Sequence, residues 1–158
     1  MSKISFKDLF SPGAEEKIKQ FKPARLQETK PSLLQGLKFP GEGVYDHFEN
    51  HASAVVCIVS MTCLACIDML PELSAFADSY KGKFVVISSG SEEENQELVR
   101  HFAYRFPVRS MSVEAYTERY GVDATPYVFH LMKGIVSHSY SIQSIRDLYE
   151  LAEHGKGI

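Results

Sequence analysis

The sequence predicts an α/β fold in which a central mixed sheet is flanked by helices, and three observations carry that expectation. Two continuous β-branched apolar runs, Ala54–Ser60 and Lys83–Ser89, each lead into a stretch of helical periodicity. Two later strand-like segments, Tyr127–Met132 and Ile135–Tyr140, flank Lys133-Gly134, which suits a hairpin. An amphipathic segment, Ile142–His154, closes the chain. Strands that alternate with helices and then give way to a hairpin need parallel and antiparallel pairings in one sheet. At 158 residues the chain fits one domain with a short extension.

The extension is visible in the charge. Residues 1–40 hold eight Lys/Arg against four acids and four of the seven prolines, whereas residues 41–158 hold nine basic against sixteen acidic residues. We therefore divide the chain into a basic N-terminal extension, 1–40, and a domain, 41–158. The extension is expected to contain a short helix near Ala14–Phe21, ended by Pro23. It reads either as an arm packed on the domain or as a basic docking surface for an acidic partner or membrane face.

Within the domain, Val44–Asn50 suits a short helix. Ala54–Ser60 lacks alternation and so reads as a strand buried on both faces. Cys63–Tyr80 has Leu64, Ile67, Leu70, Leu73, Ala77 and Tyr80 at helical spacing, with Pro71 expected to kink it. Lys83–Ser89 is a second buried strand. Ser91 then caps a helix whose first turn carries Glu92, Glu93 and Glu94, and which ends near Tyr104, before Pro107. Glu114–Tyr120 is a short helix closed by Gly121. The last helix is expected to bury Ile145, Leu148, Tyr149 and Ala152.

Composition excludes several function classes. A net charge of −3 gives no electrostatic case for nucleic acid. The longest apolar runs, Ala54–Val59 and Cys63–Ile67, fall far short of a transmembrane helix. The first 30 residues are charged throughout, without a signal-peptide core, so a cytoplasmic location is expected. Three cysteines are too few for a disulfide-stapled scaffold, and their odd number means that they do not all pair.

The informative feature is Cys63-Leu64-Ala65-Cys66, which follows a buried strand and opens a helix. Two cysteines at this spacing on a first helical turn close a disulfide with little backbone movement. The first sulfur also lies where unpaired N–H groups and the helix dipole favour a thiolate, the nucleophile of disulfide exchange. Pro71 follows Cys66 by five residues, and Thr125-Pro126 precedes the hairpin. From Val44 to His154 the sequence resembles the thioredoxin superfamily, in which a CxxC opens a proline-kinked helix and a cis-proline before the fourth strand faces the disulfide. The run Tyr120-Gly121-Val122-Asp123-Ala124-Thr125-Pro126-Tyr127-Val128-Phe129 is similar to that family's approach to its proline.

The resemblance implies a thioredoxin-like fold and a thiol–disulfide oxidoreductase. By it, Cys63 attacks, Cys66 resolves, Pro126 is cis, and Thr62, Thr125 and Pro126 border the substrate. The backbone of Thr125 would pair with an extended substrate strand. The implied partners are a cysteine-containing protein or peptide and a redox partner that recycles the cysteines. No organic cofactor is implied, because the cysteines store the electron pair. Within the superfamily the compact core resembles the TlpA, ResA and MauD-like branch. It is also similar to thioredoxin-like proteins that accompany sporulation-killing-factor peptides, which implies action on the disulfide of a ribosomally made antimicrobial peptide.

The departures matter as much. Thr62 stands where the family often has Trp, and Cys57 stands where thioredoxin has a buried acid that assists proton transfer from the resolving thiol. Leu64-Ala65 replaces the usual intervening pairs. Cys57 reads as a small buried hydrophobe, with tuning of the disulfide as the other reading. Met61 and Met69 read as packing, and His101, His130, His138 and His154 as surface or half-buried residues. A metal alternative uses His47, His51, Cys63 and Cys66 as a His2Cys2 zinc set, against which stands the strand-like run between them. A peroxidase reading lacks the family's threonine three residues before the cysteine and its upstream proline. A non-catalytic module that binds a precursor peptide or partner enzyme is the competing function.

Overall fold

The computed structural model describes residues 34–156; the helix expected at Ala14–Phe21 and most of the basic extension lie outside them. The chain forms strand β1 (Ala54–Val59), helices α1 (Leu64–Met69) and α2 (Leu73–Ser79), and strand β2 (Lys83–Ser88). Helix α3 (Glu92–Phe102), strand β3 (Val108–Ser110) and helix α4 (Val113–Tyr120) follow. The hairpin β4 (Tyr127–Met132) and β5 (Ile135–Ser141) leads to helix α5 (Ile145–Lys156). The five strands lie in the order β3-β2-β1-β4-β5. The β1–β2 and β2–β3 pairings are parallel, and the β1–β4 and β4–β5 pairings antiparallel. The sheet is mixed, as the sequence predicts.

All six residues of β1 are buried, which explains why the strand carries no polar alternation. Successive side chains of a strand point to opposite faces. Val55, Cys57 and Val59 therefore join one core with Leu73, Phe76 and Leu148, while Val56 and Ile58 join a second with Phe39, Tyr116 and Phe129. Part of the compositional extension enters this second core. Phe39 stacks on Tyr120 at 4.8 Å and packs edge-on against Phe48, and Lys38 bridges to Ile135.

Local chemistry sets the element boundaries. Ser91 forms a full capping box with Glu94, and Ser112 caps α4 by accepting the Ala115 N–H. Gly121 closes α4 at φ 70°, a left-handed conformation that favours glycine. Pro71 divides the expected Cys63–Tyr80 helix into α1, a 3-10 turn (Leu70–Glu72) and α2. The buried stripe runs through Cys66, Met69, Leu70, Leu73 and Phe76, which leaves Leu64 74% and Ile67 43% exposed, not inward as their spacing suggested. Tyr149 also sits at the surface. Of the helix expected over Val44–Asn50 only a 3-10 turn (Phe48–Asn50) forms, because Gly41 and Gly43 fold the preceding residues into a tight turn. Strand β3 escaped sequence reading, since three residues with Arg109 and Ser110 exposed carry no apolar run.

His130, expected at or near the surface, is instead buried on β4. Its Nδ1 bonds Ser137 Oγ at 3.0 Å and its Nε2 bonds Ser53 Oγ at 3.2 Å, and Ser53 in turn meets the Tyr80 hydroxyl. Burial, assisted by the neighbouring His138, lowers its pKa below the ordinary 6.5. The unfolded chain then binds this proton before the folded one does, so stability declines as pH falls from about 6.5 toward the lower folded value and is unaffected above it. Urea unfolding at pH 7.5 and 5.5 checks this, with His130→Gln expected to reduce the difference between them.

Candidate active site

The end of β1 runs into a turn that holds both cysteines. The Cys63 N–H donates to the Ser60 carbonyl at 3.2 Å, closing a turn over residues 60–63. The Thr62 N–H donates to Ser60 Oγ at 3.2 Å, and the Ser60 and Thr62 hydroxyls bond at 3.0 Å. This side-chain bond to the N–H two residues on is the hydroxyl form of an Asx turn. Cys63 is the N-cap of α1, with its sulfur accepting the Cys66 N–H at 3.3 Å. The sulfur of Cys66, one turn further along, accepts the Ser60 N–H at 3.3 Å.

The opposite wall comes from the start of β4. Antiparallel pairing of Ile58 with Tyr127 places the residues after β1 beside those before β4, at one end of the sheet. There the Cys63 thiol donates to the Thr125 carbonyl at 3.4 Å. The Thr125–Pro126 peptide bond is cis, and Pro126 is buried. Thr62 is exposed beside the first cysteine. Cys63, Cys66, Thr62, Thr125 and Pro126 thus converge on one patch.

The two thiols differ in acidity. Partial burial of Cys63 opposes ionisation, but hydrogen bonds from the Cys66 side chain, the Cys66 N–H, the Thr125 side chain and the Ala65 N–H outweigh it, and the net shift is downward. Burial is the main cause that pushes Cys66 up to about 12, reinforced by its bond to Cys63. Cys57 lies fully in the core, where burial and the nearby Cys66 raise its pKa further still. It therefore holds its proton at neutral pH. The expected result at pH 7 is single alkylation by iodoacetamide, on Cys63, with Cys57 and Cys66 protected. Peptide mapping by mass spectrometry after a short pulse checks it, and the rate should persist below the pH at which an ordinary thiol stops reacting.

His47 and His51 do not approach the cysteines as the zinc alternative requires. They precede β1 and the cysteines follow it, and six strand residues span about 20 Å. His51 Nε2 is bonded to the Tyr45 hydroxyl at 2.7 Å. Among the described residues no group of three or more His, Cys, Asp or Glu side chains is arranged to hold a metal. Nor is any described helix long and apolar enough to cross a membrane. Two site features escaped sequence reading. Ser60 carries no motif of its own, and its place two residues before Thr62 and three before Cys63 is the available signal. Leu64 and Ile67 face outward on α1, and Ile67 lines an open groove of about 810 Å³ with Met61, Pro71, Leu98 and Phe102.

Solved structures share this arrangement of elements. A secreted Mycobacterium tuberculosis disulfide oxidoreductase homologous to Escherichia coli DsbE matches with a TM-score of 0.55 and 19% identity, over 65% of this chain and 81% of that one. A putative thioredoxin from Neisseria meningitidis matches with a TM-score of 0.56 and 17% identity, over 80% of this chain and 89% of that one. The fold is thioredoxin-like. StoA from Bacillus subtilis matches with a TM-score of 0.50 and 19% identity, over 62% of this chain and 80% of that one. No protein-family model and no curated protein sequence matches the chain. The turn over residues 60–63 and the loop at Thr125–Pro126 form one rim around Cys63.

Proposed function

We propose that the protein is a thiol–disulfide oxidoreductase acting on a cysteine-containing protein or peptide. The observation that carries this reading is the split pair: an accessible Cys63 with lowered pKa, and beside it a buried Cys66 that keeps its proton. The Cys63 thiolate attacks a substrate disulfide, forming a mixed disulfide and releasing one substrate thiolate. Cys66 then loses its proton and attacks Cys63 Sγ, closing the protein disulfide and releasing the second substrate thiolate. Run in reverse, the same steps oxidise a substrate dithiol.

The substrate side is read from the rim. An extended segment would pair with the Thr125 backbone, while the exposed Leu64 and Ile67 offer apolar contact on the helix that Cys63 caps. The resemblance to proteins that accompany sporulation-killing-factor peptides extends the reading to the disulfide of a ribosomally made antimicrobial peptide. A separate redox partner recycles the pair. A cytoplasmic setting would favour the reduced enzyme, and peptide maturation net disulfide formation.

Equilibration against glutathione, with alkylation and mass readout, tests the proposal. A Cys63–Cys66 disulfide with a potential near roughly −270 mV identifies a reductase, and one above roughly −200 mV a disulfide donor or isomerase. If no disulfide forms at any poise, a binding module takes its place.

A further inference from the structure

With Cys57 unable to accept a proton, something else must prepare Cys66 for its step. Every polar group of Ser60 is engaged around the two cysteines. Its N–H donates to Cys66 Sγ, its carbonyl accepts the Cys63 N–H, and its hydroxyl accepts the Thr62 N–H and bonds the Thr62 hydroxyl. The residue is 6% exposed, so these bonds operate with little competition from water. The turn is anchored on its other side by the Met61 N–H, which donates to Ser89 Oγ at 2.9 Å.

We propose that Ser60 is a positioning residue for the resolving thiol, its hydroxyl fixing the turn so that its own N–H stays aimed at Cys66 Sγ. The proposal rests on the oxidoreductase reading and adds a residue that the reading does not require. A hydrogen bond to a sulfur favours the charged form, so the Ser60 N–H grows stronger as Cys66 ionises. In the resolving step the S–H bond of Cys66 breaks and its proton passes to water. The new thiolate forms the S–S bond to Cys63 as the bond from Cys63 to the substrate sulfur breaks, and the leaving sulfur departs with the electron pair. Without the hydroxyl the N–H remains, but the turn that orients it has lost two of its bonds.

Reaction of the reduced protein with dithiobis(nitrobenzoate) separates the two steps. Attack by Cys63 releases a first coloured thiolate and resolution by Cys66 releases a second. Release of two thiolates per protein shows that the pair closes a disulfide; release of only one would overturn the oxidoreductase reading independently of Ser60. Ser60→Ala is expected to slow the second phase about tenfold at neutral pH, well beyond any change in the first, equivalent to raising its pH midpoint by about one unit. Ser60→Thr, which keeps the hydroxyl, restores it. Thr62→Val, a surface change that removes one of the two bonds, shifts the second phase in the same direction by less and serves even if Ser60→Ala fails to fold. The proposal is overturned if the second phase keeps its wild-type pH midpoint in Ser60→Ala and Thr62→Val. It is equally overturned if both phases slow together and Ser60→Thr restores neither.

Discussion

Cys66→Ser will convert the protein into a covalent trap. Cys63 still attacks a substrate disulfide, because its lowered pKa draws partly on the Cys66 and Ala65 N–H groups and on the Thr125 side chain, and these survive the substitution. The mixed disulfide then has no internal thiol to resolve it. Cys57 cannot substitute, being buried in the strand below with its proton held tightly. Turnover of a protein disulfide should fall roughly 100-fold or more, equivalent to about 2.7 kcal/mol of lost transition-state stabilisation. Non-reducing gels and intact mass should show an adduct that dithiothreitol releases and that Cys63→Ser does not form. A Cys66→Ser protein that forms no adduct while Cys63 remains alkylatable would favour the binding-module reading. The same trap, applied to the extract or peptide of interest, returns the substrate by mass.

The central part of this candidate site was legible in the sequence for a physical reason. A CxxC after an unbroken β-branched run has few structural uses, and the run Ala54–Val59 is indeed the fully buried centre of the sheet. The helix caps at Ser91 and Gly121 were legible too, since each meets a backbone requirement that few residues satisfy. What escaped depended on relations between elements. Leu64 and Ile67 have the spacing of a core stripe, but the phase of α1 is set by Cys66 and Met69 packing on the sheet, which turns them outward. Periodicity gives a face; it does not say which face is covered. His130 shows nothing local that announces burial, because its partners, Ser53 and Ser137, lie 77 and seven residues away. β3 is too short and too polar to be seen without the neighbour that pairs with it. Ser60 was hidden by ordinariness: a serine beside a turn gains meaning only when its N–H is found on a sulfur.

Phe39→Ala should destabilise the domain by about 3–5 kcal/mol. Composition assigns this residue to the extension, yet it is 2% exposed and touches Tyr120, Phe48 and Phe129, joining α4, the 3-10 turn and β4 around one ring. The neighbouring backbone is tied in as well, with the Phe39 N–H on the Gly134 carbonyl at 2.9 Å and the Tyr120 hydroxyl on the Pro40 carbonyl at 3.0 Å. Truncating the ring removes its burial and leaves a cavity lined by aromatic side chains that cannot all collapse inward. Against a total stability of about 5–15 kcal/mol this is a large fraction, expected to lower the melting temperature by roughly 10 °C or more. The affected core lies on the sheet face opposite Cys57 and Cys66, so the two phases of dithiol reactivity should be retained at temperatures where the variant stays folded. Circular dichroism melts paired with the thiol assay separate these outcomes. An unshifted melt would mean that Phe39 contributes little and that the working domain begins after it, at the compositional boundary. A shifted melt with normal thiol chemistry would set the physical boundary of the domain before residue 39, because charge composition reports where a chain meets solvent and says little about where its core begins.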